Sequence, residues 1–287
     1  MAASSTTTRT VTLGSLTFPV RSAGPDDGVP VVLLHGFPQT SAMWEPALTA
    51  LADAGYRALA PDQRGYAPTA QPHRRSAYRM EALADDVIGI GDALGLDRFH
   101  VVGHDWGGAV GWHLAARDAD RLRSFVSVST PHPRAMARAM HRGQALRSLY
   151  IPFFRMPWLP ERLLGAGGHR GLGRALERSG LPADRAREVA RSMEATGALP
   201  WALAWYRANG PGLAATGPSL VPTMYVWSTG DTALGRAAAE RTGDHVEAPY
   251  RFVVLEGVSH WIPDVAPDDL HRHLLEHLER HPGHGAP

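Results

Sequence analysis

Short apolar runs alternate with amphipathic segments along most of this 287-residue chain, and that alternation constrains the fold more than any other feature. After a hairpin at residues 10–20, the runs that read as strands are 29–34, 56–60, 99–103, 124–129, 223–228 and 251–256. The segments that read as helices are 41–53, 80–94, 107–117, 232–241 and 267–280. Nearly continuous apolar runs suit parallel strands that are buried on both faces. The pattern therefore predicts an α/β fold in which helices cover both sides of a sheet.

Residues 131–218 interrupt this alternation. The stretch is rich in arginine, glycine, proline and aromatic residues, reads as several short helices, and contains no convincing strand. It is too long to be a simple loop, and strand-like runs resume after it at residue 223. The sequence therefore predicts two units: a sheet domain formed by residues 1–130 and 219–287, and a helical insertion formed by residues 131–218.

The composition excludes several classes of function. A formal net charge of +1, without runs of like charge, gives no reason to expect a nucleic-acid partner. The absence of cysteine rules out disulfides, thiolate nucleophiles and cysteine-ligated metals. His273 and His277 share one face of the last predicted helix, but without a third ligand they do not predict a metal site. Residues 1–10 lack the apolar core of a signal peptide, and no apolar stretch approaches the ~20 residues of a membrane span, so we expect a soluble cytoplasmic protein with no membrane partner.

One short motif carries the strongest signal for chemistry: VVGHDWGG, residues 101–108. A strand-like run stops at Gly103, Asp105 stands two residues later, and Gly107 follows, which is the outline of the G-x-S-x-G nucleophile elbow with aspartate in place of serine. The helix that starts near Trp106 directs the positive end of its dipole at this position, which favours a negative charge there. Taken alone, the motif fits equally well an aspartate that only caps this helix.

Two further residues fit the partners that such a nucleophile needs. Asp231 and His260 each stand just beyond the carboxyl end of a predicted strand, where ligands bind in open α/β sheets. Their order in the chain, nucleophile, acid and histidine, is the order of this elbow architecture. A carboxylate nucleophile forms an ester, and a second group must then resolve that ester. The alternatives are a turn-forming role for Asp231 and a buried structural role for His260.

The segment LLHGFP, residues 33–38, predicts the other half of the site. A loop after the third strand can donate one backbone N–H group to an oxyanion hole, and the residue after the nucleophile can donate a second. In this chain the donors would be the N–H groups of Phe37 and Trp106. His35 is expected to order the loop through hydrogen bonds rather than to react.

Five segments together resemble one known family. They are HGFPQTSAMW, APDQRGY, GHDWGG, STGDTALGR and GVSHWIPDVAP, and they look like motifs of the α/β-hydrolase fold, specifically of its epoxide hydrolase branch. The resemblance runs through almost the whole chain. It implies a mostly parallel, eight-stranded sheet flanked by helices, in which the insertion at 131–218 forms a helical cap over the active site.

Epoxide hydrolases of this type also carry two cap tyrosines that hydrogen-bond the epoxide oxygen. WYRAN, residues 205–209, matches the motif of the second tyrosine and gives that role to Tyr206. SLYIPFFRMPWLPE, residues 148–161, resembles the segment of the first, and Tyr150 falls on the tyrosine position although the flanking residues differ. Packing of the two rings is the alternative for both positions.

The resemblance implies a reaction in two steps. Asp105 attacks an epoxide carbon and forms an alkyl-enzyme ester, while Tyr150 and Tyr206 donate hydrogen bonds to the departing alkoxide. His260, oriented by Asp231, then deprotonates a water that attacks the ester carbonyl. The product is a vicinal diol, and neither a metal nor an organic cofactor is required.

The implied partner is a small, apolar epoxide, bound by a monomer or a homodimer. Aromatic and neighbouring residues would line an apolar pocket for this substrate. The residues expected in that pocket are His35, Pro38, Trp44, Phe153, Trp158, Trp201, Trp205 and Trp261.

Related functions use the same residues. Haloalkane dehalogenases share the aspartate nucleophile and the triad, and Trp106 would bind the departing halide, but Phe37 stands where those enzymes usually have an asparagine. Fluoroacetate dehalogenases have an arginine after the nucleophile, where this chain has Trp106. A non-catalytic ligand-binding protein of this fold would tend to lose a member of the catalytic set, and none is missing. The sequence therefore favours epoxide hydrolysis over these alternatives.

Overall fold

The computed structural model describes residues 6–282, and within that range eight strands form a single sheet. The strands are β1 Thr7–Leu13, β2 Leu16–Ala23, β3 Pro30–Leu34, β4 Arg57–Pro61, β5 Phe99–His104, β6 Leu122–Val128, β7 Thr223–Ser228 and β8 Tyr250–Leu255. Their order across the sheet is β1-β2-β4-β3-β5-β6-β7-β8. Strand β2 is antiparallel to β1 and β4, and all other neighbours are parallel. The predicted α/β fold with a mostly parallel, eight-stranded sheet is confirmed.

Helices pack on both faces of this sheet and also form the stretch between β6 and β7. Over the described residues they are α1 Glu45–Asp53, α2 Met80–Ala93, α3 Trp106–Arg117, α4 Pro133–Ala139, α5 Gln144–Arg147, α6 Tyr150–Arg155, α7 Leu159–Leu164, α8 Ala166–Arg178, α9 Ala183–Thr196, α10 Leu199–Ala208, α11 Arg236–Ala239, α12 Ile262–Val265 and α13 Pro267–Glu279. None of these helices is both long and apolar enough to span a membrane.

The central strands are buried on both faces, which explains their nearly continuous apolar sequences. In β3, Val32 and Leu34 join the apolar layer that also holds Val110 of α3. Val31 and Leu33, which alternate with them, join the opposite layer with α1 and α13. Successive side chains of a strand point to opposite faces, so every residue of such a strand must be apolar when both faces are covered.

The predicted helix at 232–241 differs from the structure, because only Arg236–Ala239 is helical there. The carboxylate of Asp231 accepts hydrogen bonds from the backbone N–H groups of Ala233 (2.7 Å) and Leu234 (2.8 Å). These bonds hold residues 231–234 in a turn, which competes with helix formation. The prediction was therefore wrong at the beginning of this helix.

Seven consecutive helices, α4–α10, occupy residues 133–208. No strand interrupts them in this stretch, all of which lies within the described part of the chain. The ring of Tyr206 in α10 packs edge-on against Trp106 at the start of α3, with ring centroids 4.9 Å apart. The helical stretch therefore lies over the carboxyl ends of the central strands. The division into a cap at 131–218 and a core made of 1–130 and 219–287 stays a prediction, since helix bounds alone do not define folding units.

Candidate active site

Asp105 lies in the sharp turn that joins β5 to α3. Its backbone has φ 51° and ψ −119°, a conformation that costs a residue with a side chain about 1–3 kcal/mol. The turn needs glycine on both sides: a Cβ atom at Gly103 would collide with the backbone of Gly107, and one at Gly107 would collide with the carbonyl of Leu34. The Asp105 side chain does not accept from the N–H groups of Gly107 or Gly108, as the side chain of a helix cap would, so the structure does not support the helix-cap alternative.

The two carboxylate oxygens of Asp105 have different surroundings. Oδ1 accepts a hydrogen bond from the backbone N–H of Phe37 at 2.7 Å, and the backbone N–H of Trp106 also hydrogen-bonds this carboxylate. Oδ2 lies 3.8 Å from Nε2 of His260. A Cβ atom at Gly36 would clash with the Asp105 side chain, so glycine at this position lets the loop after β3 approach the carboxylate. Oδ1 is therefore held by the loop after β3, while Oδ2 faces the imidazole of His260.

His260 forms a buried pair with Asp231. Nδ1 of His260 lies 2.7 Å from Oδ2 of Asp231, and both side chains are almost fully buried. The carboxylate fixes the proton on Nδ1, which leaves the lone pair of Nε2 directed at Asp105 in the neutral imidazole. The backbone carbonyl of His260 accepts hydrogen bonds from Oγ of Ser129 (2.8 Å) and Nε2 of His104 (3.0 Å), so the histidine is held from both sides.

Burial and charge shift the pKa values of this group in a consistent way. Burial raises the pKa of Asp105 above its ordinary value, and the opposing effects of His260 and of the N–H groups of Trp106 and Phe37 do not fully offset it. Burial also disfavours the charged form of His260, but the carboxylates of Asp231 and Asp105 outweigh that effect and raise its pKa. The histidine therefore takes up protons readily as long as both carboxylates are ionised.

Tyr150 and Tyr206 face the same space from the helical stretch. Their rings lie 6.3 Å apart, centroid to centroid, and the ring of Tyr206 also contacts Phe37 at 5.4 Å. Burial raises the pKa of both hydroxyl groups well above the ordinary range, and the charge of Asp105 raises them further. Both phenols therefore stay protonated over the whole practical pH range and can act as hydrogen-bond donors.

A cavity of about 390 Å³ lies between Asp105 and the two tyrosines. Asp105, Tyr150 and Tyr206 line it together with the Trp106 side chain. Most of the remaining lining is apolar or small: Ala109, Pro131, Pro133, Met136, Ala137, Met140, Ile151, Gly210, Leu213, Ala214 and Leu234. A small, apolar ligand with a polar atom at the carboxylate end would fit such a space.

The large aromatic residues that were expected in the pocket lie elsewhere. Trp44 is fully buried in the apolar layer on the α1 and α13 side of the sheet. Trp205 is also buried, and its Nε1 donates to the carbonyl of Arg64 at 2.9 Å. Trp201 stacks on Tyr78, with ring centroids 6.3 Å apart. The prediction was wrong for these three tryptophans because large apolar side chains fill the core instead of lining a cavity.

Three other predicted pocket residues also lie outside the cavity lining. Trp158 is 65% exposed just before α7, so its assignment was wrong because it faces solvent. Phe153 packs against Phe154 with ring centroids 5.7 Å apart. Trp261 lies edge-on against His260 at 5.2 Å, behind the reactive face of the imidazole. Phe153 and Trp261 therefore support the walls of the site without lining it.

His35 and Pro38 are buried in the loop after β3 and do not line the cavity either. Nε2 of His35 accepts a hydrogen bond from the backbone N–H of Gln63 at 2.9 Å. Burial lowers the pKa of His35 to about 4, so the imidazole is neutral at pH 7. These contacts agree with the expected role of His35, which is to order the loop that carries Phe37.

Thr130 is a site residue that the sequence interpretation missed. It follows β6, lines the cavity, and its Oγ1 donates to the backbone carbonyl of Asp105 at 2.8 Å. Its position just past the carboxyl end of a strand beside β5 was the available signal. The cavity residues on α4 and α6, such as Met136 and Ile151, carried no such signal, because their placement depends on how the helices pack.

No cluster of three or more potential metal ligands was found in residues 6–282. His273 instead interacts with Arg251, whose Nη2 lies 3.0 Å from its Nδ1, and His277 is buried in the packing of α13. The remainder of the histidine-rich tail, residues 283–287, lies outside the described part of the chain.

Comparisons with known proteins agree with this fold. The sequence matches the family described as alpha/beta hydrolase fold over residues 29–267. It is 37% identical to AB hydrolase superfamily protein YfhM of Bacillus subtilis, over 94% of this chain and 96% of that protein. It is 32% identical to epoxide hydrolase A of Mycobacterium tuberculosis, over 95% and 97% respectively. The crystal structure of epoxide hydrolase A from Mycobacterium thermoresistibile superposes with a TM-score of 0.84 at 25% identity, over 96% of this chain and 98% of that chain.

The family match covers most of the chain, and the relatives align with it over nearly their full length. The chain belongs to the α/β hydrolase fold family and, within it, to the branch whose named relatives are epoxide hydrolases.

Proposed function

We propose that this chain is an epoxide hydrolase that opens a small, apolar epoxide to a vicinal diol through an ester on Asp105. One observation carries the proposal: a carboxylate with one free oxygen and two protonated phenols line the same small cavity. A carboxylate that attacks a saturated carbon must displace a leaving group. An alkoxide is a strong base and leaves only when it receives a proton or strong hydrogen bonds, so it gains far more from two hydroxyl donors than a halide does. The names of the relatives in Mycobacterium support the same activity.

In the first step, Oδ2 of Asp105 attacks one epoxide carbon and the bond between that carbon and the epoxide oxygen breaks. The oxygen leaves as an alkoxide, which takes a proton or strong hydrogen bonds from Tyr150 and Tyr206. Oδ1 stays with the N–H group of Phe37 and becomes the carbonyl oxygen of the new ester. The burial that raises the pKa of Asp105 also strips water from the carboxylate, which makes it a stronger nucleophile.

In the second step, Nε2 of His260 takes a proton from a water, and the hydroxide attacks Cγ of Asp105. Negative charge then develops on Oδ1, which already accepts from the N–H group of Phe37, and the N–H group of Trp106 also hydrogen-bonds this carboxylate. Preorganised donors at the site of developing charge contribute strongly to catalysis. Collapse of the tetrahedral intermediate breaks the bond between Cγ and the substrate oxygen, and that oxygen takes the proton held by His260, which releases the diol. Asp105 is left as a carboxylic acid, and its proton replaces the one that the tyrosines gave to the alkoxide in the first step, so every group returns to its starting state.

The tyrosines separate this activity from the dehalogenase alternative. We expect Tyr206→Phe to slow epoxide opening by about 10²–10³-fold, because the alkoxide loses one of its donors. Displacement of bromide from a bromoalkane should change little, since bromide leaves without a proton. Single-turnover rates of ester formation with styrene oxide and with 1-bromobutane measure the two effects separately.

A matched control is Tyr78→Phe. Tyr78 is a fully buried tyrosine, but its ring stacks on Trp201 and it does not line the cavity. Ester formation from styrene oxide should be unchanged in this variant. If Tyr206→Phe slowed both substrates equally, the hydroxyl would not be acting on the leaving oxygen and the proposed donor role would be wrong.

The pH dependence of the second step should differ from the titration of His260 in the free protein. Only the neutral imidazole can act as a base, so hydrolysis of the ester should be lost as the pH falls through the His260 pKa. The carboxylates of Asp231 and Asp105 raise that pKa in the free protein. Esterification removes the charge of Asp105, so the midpoint for hydrolysis should lie below the midpoint that NMR measures for free His260. A kinetic midpoint at or above the NMR value would contradict this assignment of the base.

A further inference from the structure

We propose that Gln144 and Arg147, on the short helix α5, are positioning residues that hold the loop carrying Asp231, and that they act on the second step of the proposed reaction. The inference rests on the proposed function, because the two steps it separates are ester formation and ester hydrolysis. It concerns residues of the helical stretch that do not touch the substrate cavity.

The orientation of Asp231 depends on its own loop. Its Oδ2 accepts from His260, so the direction of the carboxylate sets the tautomer and the angle of the imidazole. Its Oδ1 is fixed by the N–H groups of Ala233 and Leu234, at 2.7 and 2.8 Å. A displacement of these two amides would therefore rotate the carboxylate away from His260.

Gln144 binds the same stretch of backbone from the other side. Its Nε2 donates to the carbonyl of Ala233 at 2.7 Å, and its Oε1 accepts from the N–H of Gly235 at 2.9 Å. Its second amide hydrogen goes to Oγ of Ser148 at 2.9 Å, so the buried side chain has all of its polar atoms paired. A fully satisfied amide in the interior is a rigid contact.

The peptide unit between Ala233 and Leu234 is therefore bonded at both ends. Its carbonyl accepts from Gln144, and its N–H donates to Oδ1 of Asp231. Polarisation of the carbonyl strengthens the N–H as a donor, because hydrogen bonds in a chain reinforce one another. Arg147 adds a third contact, since its Nη1 donates to the backbone carbonyl of Asp231 at 2.8 Å. Through this network α5 holds the acid in the position that His260 requires.

Ester formation does not depend on this network. Tyr150 follows α5 closely in sequence, but its ring packs against Phe154 and Tyr206, with centroids 5.6 and 6.3 Å away. Asp105 is held by Phe37 and by the turn after β5. Loss of Gln144 should therefore disturb the base and leave the nucleophile and the oxygen donors in place.

The test compares Gln144→Ala with the wild-type protein in rapid-quench mass spectrometry, with styrene oxide as the probe. Ester hydrolysis should slow roughly ten- to a hundredfold, while ester formation should change no more than about threefold, so the esterified protein accumulates. The pH midpoint of hydrolysis should also move to lower pH, because a misplaced Asp231 raises the His260 pKa less. Substitution of a residue that only stabilises the fold would change neither the ratio of the two rates, ester formation and ester hydrolysis, nor the pH midpoint of hydrolysis.

Gln71→Ala is the matched control. Gln71 also contacts the helical stretch, since its Nε2 donates to the carbonyl of Thr196 at 3.1 Å, but its hydrogen bonds go to Thr196 and Gly65 and not to the Asp231 loop. It should leave the ratio of the two rates unchanged. If Gln144→Ala folds too poorly to assay, Arg147→Met should also slow ester hydrolysis more than ester formation, but to a smaller degree. Arg147→Lys should restore the wild-type ratio of the two rates in part.

The outcomes separate the two proposals. Equal slowing of both steps, or the same split in Gln71→Ala, would overturn the positioning role while leaving the epoxide hydrolase proposal intact. Absence of any ester in the wild-type protein and in every variant would overturn the proposed function itself, and this inference with it.

Discussion

Substituting His260 with glutamine should yield a protein that is esterified once at Asp105 and then stops. Attack by Oδ2 of Asp105 on the epoxide needs no base, so the first step should proceed. Hydrolysis needs a group that takes a proton from water, and glutamine cannot do so. The loss of a general base slows such a step by about 10²–10⁴-fold, so the ester should be the dominant species within minutes.

Intact-protein mass spectrometry with styrene oxide measures this result directly. The mass should rise by that of one epoxide, and peptide mapping should place the addition on the peptide that contains Asp105. His113→Gln is the control, because His113 lies on α3 away from the triad, and it should accumulate no ester. An adduct from a bromoalkane alone would redirect the assignment to a dehalogenase, and no adduct from either probe would favour a ligand-binding protein.

The positions of Asp105, Asp231 and His260 could be predicted because each depends on local geometry. The turn after β5 requires glycine two positions before and two positions after the aspartate, and the acid and the histidine follow the ends of β7 and β8. Parallel strands bring their carboxyl ends to one edge of the sheet, so the chain order was enough to bring the three side chains together. Their catalytic roles stay predictions that the substitutions described here test.

The cavity lining could not be predicted in the same way. The sequence interpretation selected large aromatic residues, such as Trp44 and Trp205, but these side chains fill the interior. Empty space remains where side chains are small, and the lining accordingly includes Ala109, Ala137 and Gly210. Which small residues face the cavity depends on the packing of α4, α6 and α10 against the sheet, and that packing leaves no periodic signal in a single sequence.

The contacts of Gln144 with the Asp231 loop could not be predicted from the sequence, for a related reason. The segment STGD predicted an acid after β7. It did not predict the turn that Asp231 forms with Ala233 and Leu234, and this turn shortens the helix expected at 232–241. Gln144 lies about ninety positions earlier in the chain, on a helix of only four residues. A contact between two irregular segments so far apart in sequence is set by tertiary packing alone, so only the structure could reveal it.

Asp105→Asn should abolish ester formation without weakening the fold. A neutral amide is a far poorer nucleophile than a carboxylate, and loss of a nucleophile typically costs a factor of about 10⁴ or more. The ionised carboxylate is destabilising where it stands, because burial raises its pKa and the folded state then holds its proton more tightly than the unfolded state does. Stability contributed by such a group falls as the pH rises from the unfolded pKa through the raised one, so at neutral pH a neutral asparagine should fold at least as well.

Asp86→Asn should instead weaken the fold. Burial raises the pKa of Asp86 as well, so the contrast with Asp105 rests on the ion pair that Asp86 makes and not on the direction of the pKa shift. Asp86 is a buried aspartate whose two oxygens pair with Arg64 at 2.6 and 2.7 Å, away from the cavity. Removal of its charge takes the ion-pair partner from the half-buried guanidinium of Arg64, which keeps its hydrogen bond to the carbonyl of Ala77, and should cost about 2 kcal/mol of unfolding free energy with little change in the rate of ester formation. Thermal melts and single-turnover rates on both variants separate a residue that reacts from one that only supports the structure. If Asp105→Asn instead lowered the melting temperature as much as Asp86→Asn and retained epoxide opening, the carboxylate at the elbow would be structural and the proposed mechanism would be wrong.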